Sequence, residues 1–249
     1  MSAAPQMTVG HPKRLDAPED FCQAAEELGI AFDPGDLERL GLFLGLVLDA
    51  NRRFNLTAIT KPDEAWCKHV LDSLTLLPYV IAAGAKRVID VGSGAGLPGI
   101  PLAITMPQVH FRLLEATGKK AAFLEGLISV LALSNVEVIN ERAETIGHDH
   151  RNHRERYDLV VARAVGRMAV LLELTTPLVR VGGHVLAIKG RKAPQEIVEA
   201  KQALARLRCR VVEATRTRTG TIVSIEKTGH TPAGYPRRPG EPRRAPLGG

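Results

Sequence analysis

Apolar residues in the first third of the chain recur at helical spacing. Residues 19–29, 35–53 and 63–82 carry this pattern, and Leu37, Leu40, Phe43, Leu44, Val47 and Leu48 fall on one face. Asp33-Pro34 and Lys61-Pro62 supply start and stop signals. From residue 87 the period shortens. RVIDV (87–91), HFRLLE (110–115), VEVIN (136–140), YDLVVAR (157–163) and HVLAIK (184–189) are short, β-branched runs, as expected of strands buried on both faces. Between them lie helix-length segments at 98–106, 118–132 and 167–180 and a short turn at 143–147, with a further helix over 193–208. This alternation predicts a doubly wound parallel sheet. CRVVEAT (209–215) and TIVSIEK (221–227) are joined through RTRTG, which leaves no room for a crossover helix, so this last pair is expected to be an antiparallel hairpin.

The first βα connection, VIDVGSGAGLPGI (88–100), holds two overlapping glycine patterns. Asp90, Gly92, Gly94 and Gly96 form D-x-G-x-G-x-G, the loop of S-adenosylmethionine methyltransferases. Gly94, Gly96 and Gly99 form G-x-G-x-x-G, a dinucleotide fingerprint. In either case the glycines let the backbone approach a ligand, and Pro98 and Pro101 suit a first helical turn. Glu115, closing the second strand, is placed to hold ribose hydroxyls in both. The terminal hairpin and Asp90 separate the two readings. The fold class expected is α/β, a class I S-adenosylmethionine-dependent methyltransferase: a Rossmann-like, mostly parallel seven-stranded sheet with a terminal antiparallel hairpin and an N-terminal helical extension. The divisions expected are a disordered stretch over 1–18, the extension over 19–85, the catalytic domain over 86–228 and a basic Pro/Arg-rich arm over 229–249.

Composition changes this picture in one respect. The 249 residues are 45% hydrophobic and carry a net charge of +6, but the charge is uneven. Residues 1–188 hold 19 basic and 22 acidic side chains, whereas residues 189–249 hold 14 and 5. A one-ended surplus beside a cofactor loop suggests a polyanionic substrate. No apolar run has the length of a membrane helix, and the N-terminus lacks a signal-peptide core. Cys22, Cys67 and Cys209 are scattered, as expected of reduced thiols in a cytoplasmic protein. HDHRNH (148–153) has metal-like residues but no cysteine, and reads as a solvated loop with no metal.

FNLTAIT (54–60), HVLDSL (69–74), VIDVGSGAGLPGIPLAI (88–104), LLEATGKKAAFL (113–124), ERAE (141–144), YDLVVARAV (157–165), LAIKG (186–190) and TPAGYPRRPGEPRRAPLG (231–248) together resemble the GidB/RsmG family. These are bacterial 16S rRNA (guanine-N7)-methyltransferases. The resemblance runs from about residue 20 to the tail. It implies S-adenosylmethionine as cofactor and 16S rRNA or the small ribosomal subunit as partner. Residue by residue it places Gly92 and Leu97 in cofactor contact, makes Ala143 and Glu144 the adenine-side pair, and matches Arg163 to the arginine after the fourth strand. Glu115-Ala116 stands where some members have Asp-Ser; the carboxylate survives with one methylene more.

Guanine N7 carries no proton, so its methylation needs alignment rather than a general base. ARAVG (162–166) stands where enzymes acting on exocyclic amines place Asn/Asp-Pro-Pro-aromatic, and no cysteine closes the fourth or fifth strand. Candidate RNA contacts are Asn55, His69, Lys189, Tyr235, Arg237, Arg238, Arg243 and Arg244. His69, Asp72 and Ser73 read equally well as helix packing, and Arg163 as a strand end. The competing functions are a methyltransferase of small molecules or proteins, which the basic C-terminal third disfavours, and a non-catalytic RNA-binding assembly factor, which would not need an intact glycine loop.

Overall fold

The computed structural model describes residues 13–248. The N-terminal extension comprises α1 (Glu19–Glu27), α2 (Asp36–Phe54), α3 (Pro62–Ala65), a π-helical turn (Trp66–Leu71), α4 (Asp72–Leu74) and α5 (Leu77–Ala82). Leu40, Phe43, Leu44 and Val47 are fully buried, as the α2 pattern predicts. The single helix expected over 63–82 is instead divided by the π turn. The helical run then breaks at Thr75–Leu76, where Pro78 in the first turn of α5 has no N–H to continue it. Within the segment 1–18 expected to be disordered, residues 1–12 lie outside the described residues. Residues 13–17 lie against α2, with the Leu15 N–H donating to the Gly41 carbonyl at 3.2 Å. A methyl group at Gly41 or Gly45 would collide with the carbonyl of Leu15 or Lys13, which accounts for two glycines inside a helix.

The remaining elements alternate. They are β1 (Arg87–Val91), α6 (Gly99–Thr105), β2 (His110–Leu114), α7 (Gly118–Val130), β3 (Val136–Ile139), α8 (Ala143–Ile146), β4 (Tyr157–Arg163), α9 (Met168–Thr175), β5 (Val179–Lys189), α10 (Ala193–Glu199), α11 (Lys201–Arg206), β6 (Cys209–Arg216), β7 (Thr221–Lys227) and α12 (Glu241–Arg244). The seven strands form one sheet in the order β3-β2-β1-β4-β5-β7-β6. β1 to β5 are parallel, and β7 runs antiparallel to both β5 and β6. The order reverses between β1 and β4, so the loops after these strands open a crevice at the carboxyl edge. Val88 packs in a core shared with the N-terminal helices, while Ile89 and Val91 pack in a second core with α9. The strands are thus covered on both faces.

Two boundaries differ from the sequence pattern. β5 begins at Val179, where 167–180 was expected to be helical, because Gly182 and Gly183 interrupt the apolar run without ending the strand. A side chain at Gly183 would press on the Asp158 carbonyl at 2.6 Å, so close strand pairing accounts for the glycine. The helix expected over 193–208 is two helices meeting at Ala200. The arm after β7 is anchored. The Arg154 guanidinium donates to the carbonyls of Gly147, Thr231 and Tyr235 at 2.6–2.7 Å, and Leu247 is buried in the second core.

Candidate active site

Gly92, Gly94 and Gly96 have φ of 75, 57 and 89°, a conformation that L side chains rarely adopt. The turn is held by Gly92 and Ser93 N–H groups donating to the Leu114 carbonyl at 2.8 and 3.1 Å. No atom outside the neighbouring residues lies closer than 3.8 Å to where a Gly94 side chain would begin, so the main chain there is open to approach. Leu97 is buried against the first core and supports the loop from below.

Two carboxylates organise this loop. Asp90 is fully buried at the end of β1; its Oδ2 accepts the Gly99 N–H at 3.0 Å, while its Oδ1 has no hydrogen-bond partner among the described residues. Burial pushes its carboxyl up to about 7, against the opposing pull of the Gly99 N–H and Ser93. Glu115 accepts the N–H groups of Gly94 at 3.0 Å and Thr117 at 2.8 Å, one on each oxygen. It therefore ties the loop after β1 to the loop after β2. Each oxygen keeps a second lone pair for a ligand hydroxyl.

Arg163 closes β4. Its guanidinium donates to the Lys68 carbonyl at 2.8 Å, to Asp72 Oδ2 at 3.3 Å and to His69 Nδ1 at 3.3 Å. The Thr219 hydroxyl, in the turn between β6 and β7, donates to the other Asp72 oxygen. Arg163 and Asp72 thus join the helical extension, the parallel strands and the terminal hairpin at one point. After Arg163 the chain turns through Ala164 (φ 57°) and Gly166 (φ 126°), and Val165 reaches back to within 3.2 Å of where a Gly92 side chain would begin. A groove of about 560 Å³ lies beside it, lined by residues 164–167 together with Arg243, Arg244 and Pro246 of the arm.

A family described as rRNA small subunit methyltransferase G matches residues 36–222. The chain belongs to this family. Proteins named ribosomal RNA small subunit methyltransferase G from Sorangium cellulosum and Pelotomaculum thermopropionicum are 46% and 44% identical to it. These matches cover 90% and 92% of this chain and 93% and 98% of those proteins. Among solved structures, the O-methyltransferase from Bacillus cereus in complex with SAH superposes with a TM-score of 0.56 at 21% identity, covering 82% of this chain and 96% of that one. A methyltransferase from Geobacter sulfurreducens gives 0.55 at 12% identity, covering 85% and 98%. The fold is that of the class I methyltransferases. The dinucleotide reading of the glycine loop falls away with it.

Within this family fold, several residues expected at the site are engaged elsewhere. The Glu144 carboxylate accepts the Gly240 N–H of the arm at 2.9 Å, beside a buried Ala143. His69, expected to meet RNA, is only 2% exposed and shares a 2.9 Å hydrogen bond with Thr57. Burial, aided by Arg163, lowers it to about 4, so it is neutral at pH 7. Lys189 is buried against Glu196 at 2.6 Å and donates to the Gly166 carbonyl. Arg237 is bound by the wholly buried Glu173, through its main-chain N–H, Nε and a terminal nitrogen at 2.9, 2.8 and 2.7 Å. Tyr235 is half-buried against the second core. Asn55, Arg238, Arg243 and Arg244 remain exposed.

The anchors of the arm and of the segment after α2 carry little signal in the sequence. Arg154 and Glu173 hold the arm, and Asn51 clamps the main chain of Thr57 through both ends of its amide, at 2.8 and 2.9 Å. A lone Glu within the apolar run MAVLLELT was the available signal, since a buried carboxylate needs a cation. The histidines of HDHRNH diverge: His148 meets the Pro236 carbonyl and His153 the Tyr157 hydroxyl.

Proposed function

We propose that this protein transfers a methyl group from S-adenosylmethionine to N7 of a guanine in 16S ribosomal RNA, within the cytoplasm. The observation that carries the reading is the pairing of a glycine cradle, held open between Asp90 and Glu115, with an adjoining groove rimmed by the exposed Arg243 and Arg244. The cradle suits the cofactor on two counts. Asp90 Oδ1 is a buried acceptor without a partner among the described residues, matched to a cationic amino group, and Glu115 has lone pairs free for ribose hydroxyls. Ala143 and Glu144 are assigned to the adenine side through their main chain, because the Glu144 carboxylate holds the arm.

When bound, S-adenosylmethionine supplies an electrophilic methyl group on its sulfonium. The residues of this chain orient rather than exchange protons. Glu115 fixes the two loops against each other, Arg163 sets the position of the chain after β4, and Val165 and Gly166 border the groove that receives the base. N7 presents a lone pair in the plane of the purine, so no catalytic base is assigned. No helix among the described residues is long and apolar enough to cross a membrane.

Incubating the purified protein with methyl-labelled S-adenosylmethionine and 16S rRNA from cells lacking its gene, followed by nucleoside mass spectrometry, tests the reading. Label in 7-methylguanosine is expected. Label confined to another nucleoside, or to protein, overturns it.

A further inference from the structure

The carboxyl edge of the sheet, which carries the site, holds a run of cations without carboxylate partners among the described residues. At the amino edge of the parallel strands, Arg112 pairs with Glu137 at 2.9 Å, Arg180 with Asp158 at 2.9 Å, Arg210 with Glu226 at 2.7 Å and Lys227 with Glu155 at 2.7 Å, while Lys86, Arg87, Arg206 and Arg208 have no carboxylate within salt-bridge distance among the described residues. At the carboxyl edge, Arg167 follows β4, Arg191 and Lys192 follow β5, and Arg216 and Arg218 flank the hairpin turn. All five are exposed, and among the described residues none has a carboxylate within salt-bridge distance. The hairpin turn belongs to this edge by register. Thr221 pairs with Lys189 at the end of β5 on one side and with Arg216 on the other. From β1, which bears the glycine loop, to β6 is four strand steps, about 19 Å at ~4.8 Å each.

Five exposed, unpaired cations spread over the loops after β4 and β5 and the β6–β7 turn line the edge that carries the site, a charge distribution suited to a polyanion that crosses that edge. The turn also communicates with the site. Thr219 donates to Asp72, and Asp72 accepts from Arg163 at 3.3 Å. A groove of about 290 Å³ opens between the turn and α1, lined by Thr215, Arg216, Thr217 and Arg218 on one side and Ala24 and Leu28 on the other.

We propose that the β6–β7 turn, with Arg167, Arg191 and Lys192, is a docking track for the phosphodiester backbone of the substrate RNA. It lies on the far side of the catalytic groove from the C-terminal arm. It holds the strand so that the target base enters between track and arm. This assignment rests on the rRNA reading above and adds the surface that grips the RNA.

The test uses the full chain and 16S rRNA stripped from cells lacking the gene. R216Q/R218Q is compared with R206Q/R208Q, which removes two exposed cations from the opposite edge. Loss of two phosphate contacts is expected to raise KM for RNA on the order of tenfold near 150 mM salt and to flatten the slope of log affinity against log salt by about 1.4. kcat and affinity for S-adenosylhomocysteine are expected to stay at wild-type values, as is the R206Q/R208Q control throughout. If R216Q/R218Q is poorly folded by thermal unfolding, R191Q/K192Q carries the same expectation. Unchanged KM and slope, or an equal loss in the control, overturns the track. Failure of the wild-type protein to methylate the RNA at any salt overturns the underlying reading instead.

Discussion

Removing the Glu115 carboxylate probes the loop and the ligand together. In Glu115→Ala the N–H groups of Gly94 and Thr117 lose their acceptors, at 3.0 and 2.8 Å. Glu115 is buried, but Gly94 is half-buried and Thr117 exposed, so water entering the space the side chain vacates rehydrates the donors and the loss without ligand stays small. The bound state differs under the assignment proposed above, in which the carboxylate also accepts from the ribose. A hydrogen bond to a charged group contributes about 1.5–3 kcal/mol, which corresponds to roughly a 10- to 150-fold weaker dissociation constant. The expected result is a loss in that range for S-adenosylhomocysteine by titration calorimetry, with the unfolding midpoint of the free protein changed by no more than a few degrees. Glu115→Gln restores one acceptor and sets an amide N–H₂ against a backbone N–H, so it is expected to fall between wild type and Ala. A dissociation constant unchanged in Glu115→Ala would refute the assignment and leave the residue as a loop tie alone.

Three further expectations follow from buried charges. Burial holds Asp90 protonated up to about 7 against an ordinary value of 3.8. Its contribution to stability is therefore present at acid pH and lost as pH rises through about 7, and the difference between wild type and Asp90→Asn in urea unfolding is expected to change between pH 5 and pH 8. No pH-dependent difference would show that the carboxyl is ionised throughout. His69, lowered to about 4, has the opposite sign: its contribution is present above 6.5 and lost as pH falls toward 4, so His69→Gln is expected to flatten acid destabilisation in that window. Glu173→Ala leaves Arg237 without its buried partner, and is expected to cost about 3 kcal/mol by denaturant unfolding. That is the low end for a broken buried pair, because Arg237 remains 20% exposed and keeps Glu241 at 3.4 Å. A change below about 1 kcal/mol would mean the arm is held without this pair.

The elements that were legible in the sequence are those whose signal is local. The apolar runs of β1 to β4 became strands within a residue or so, and the missing crossover between residues 215 and 221 foretold the hairpin. The glycine loop was legible because each glycine answers to a positive φ. Partner choice was not legible, since a cation looks the same in sequence whether it meets a phosphate or a carboxylate. Arg237 and Lys189 look like RNA contacts in the sequence, but their partners, Glu173 and Glu196, come from other elements. Arg216 and Arg218 carry no signal of their own in the sequence, because only strand register brings their turn to the edge of the site.

The central claim is the transfer of a methyl group to N7 of one guanine in small-subunit rRNA. Mapping 7-methylguanosine along 16S rRNA, by reduction-induced strand cleavage, in cells with and without the gene tests it most directly. One site is expected to be modified in the first and unmodified in the second, and to return when the gene is restored but not when it carries Glu115→Ala. An identical 7-methylguanosine map in both cells would contradict the account.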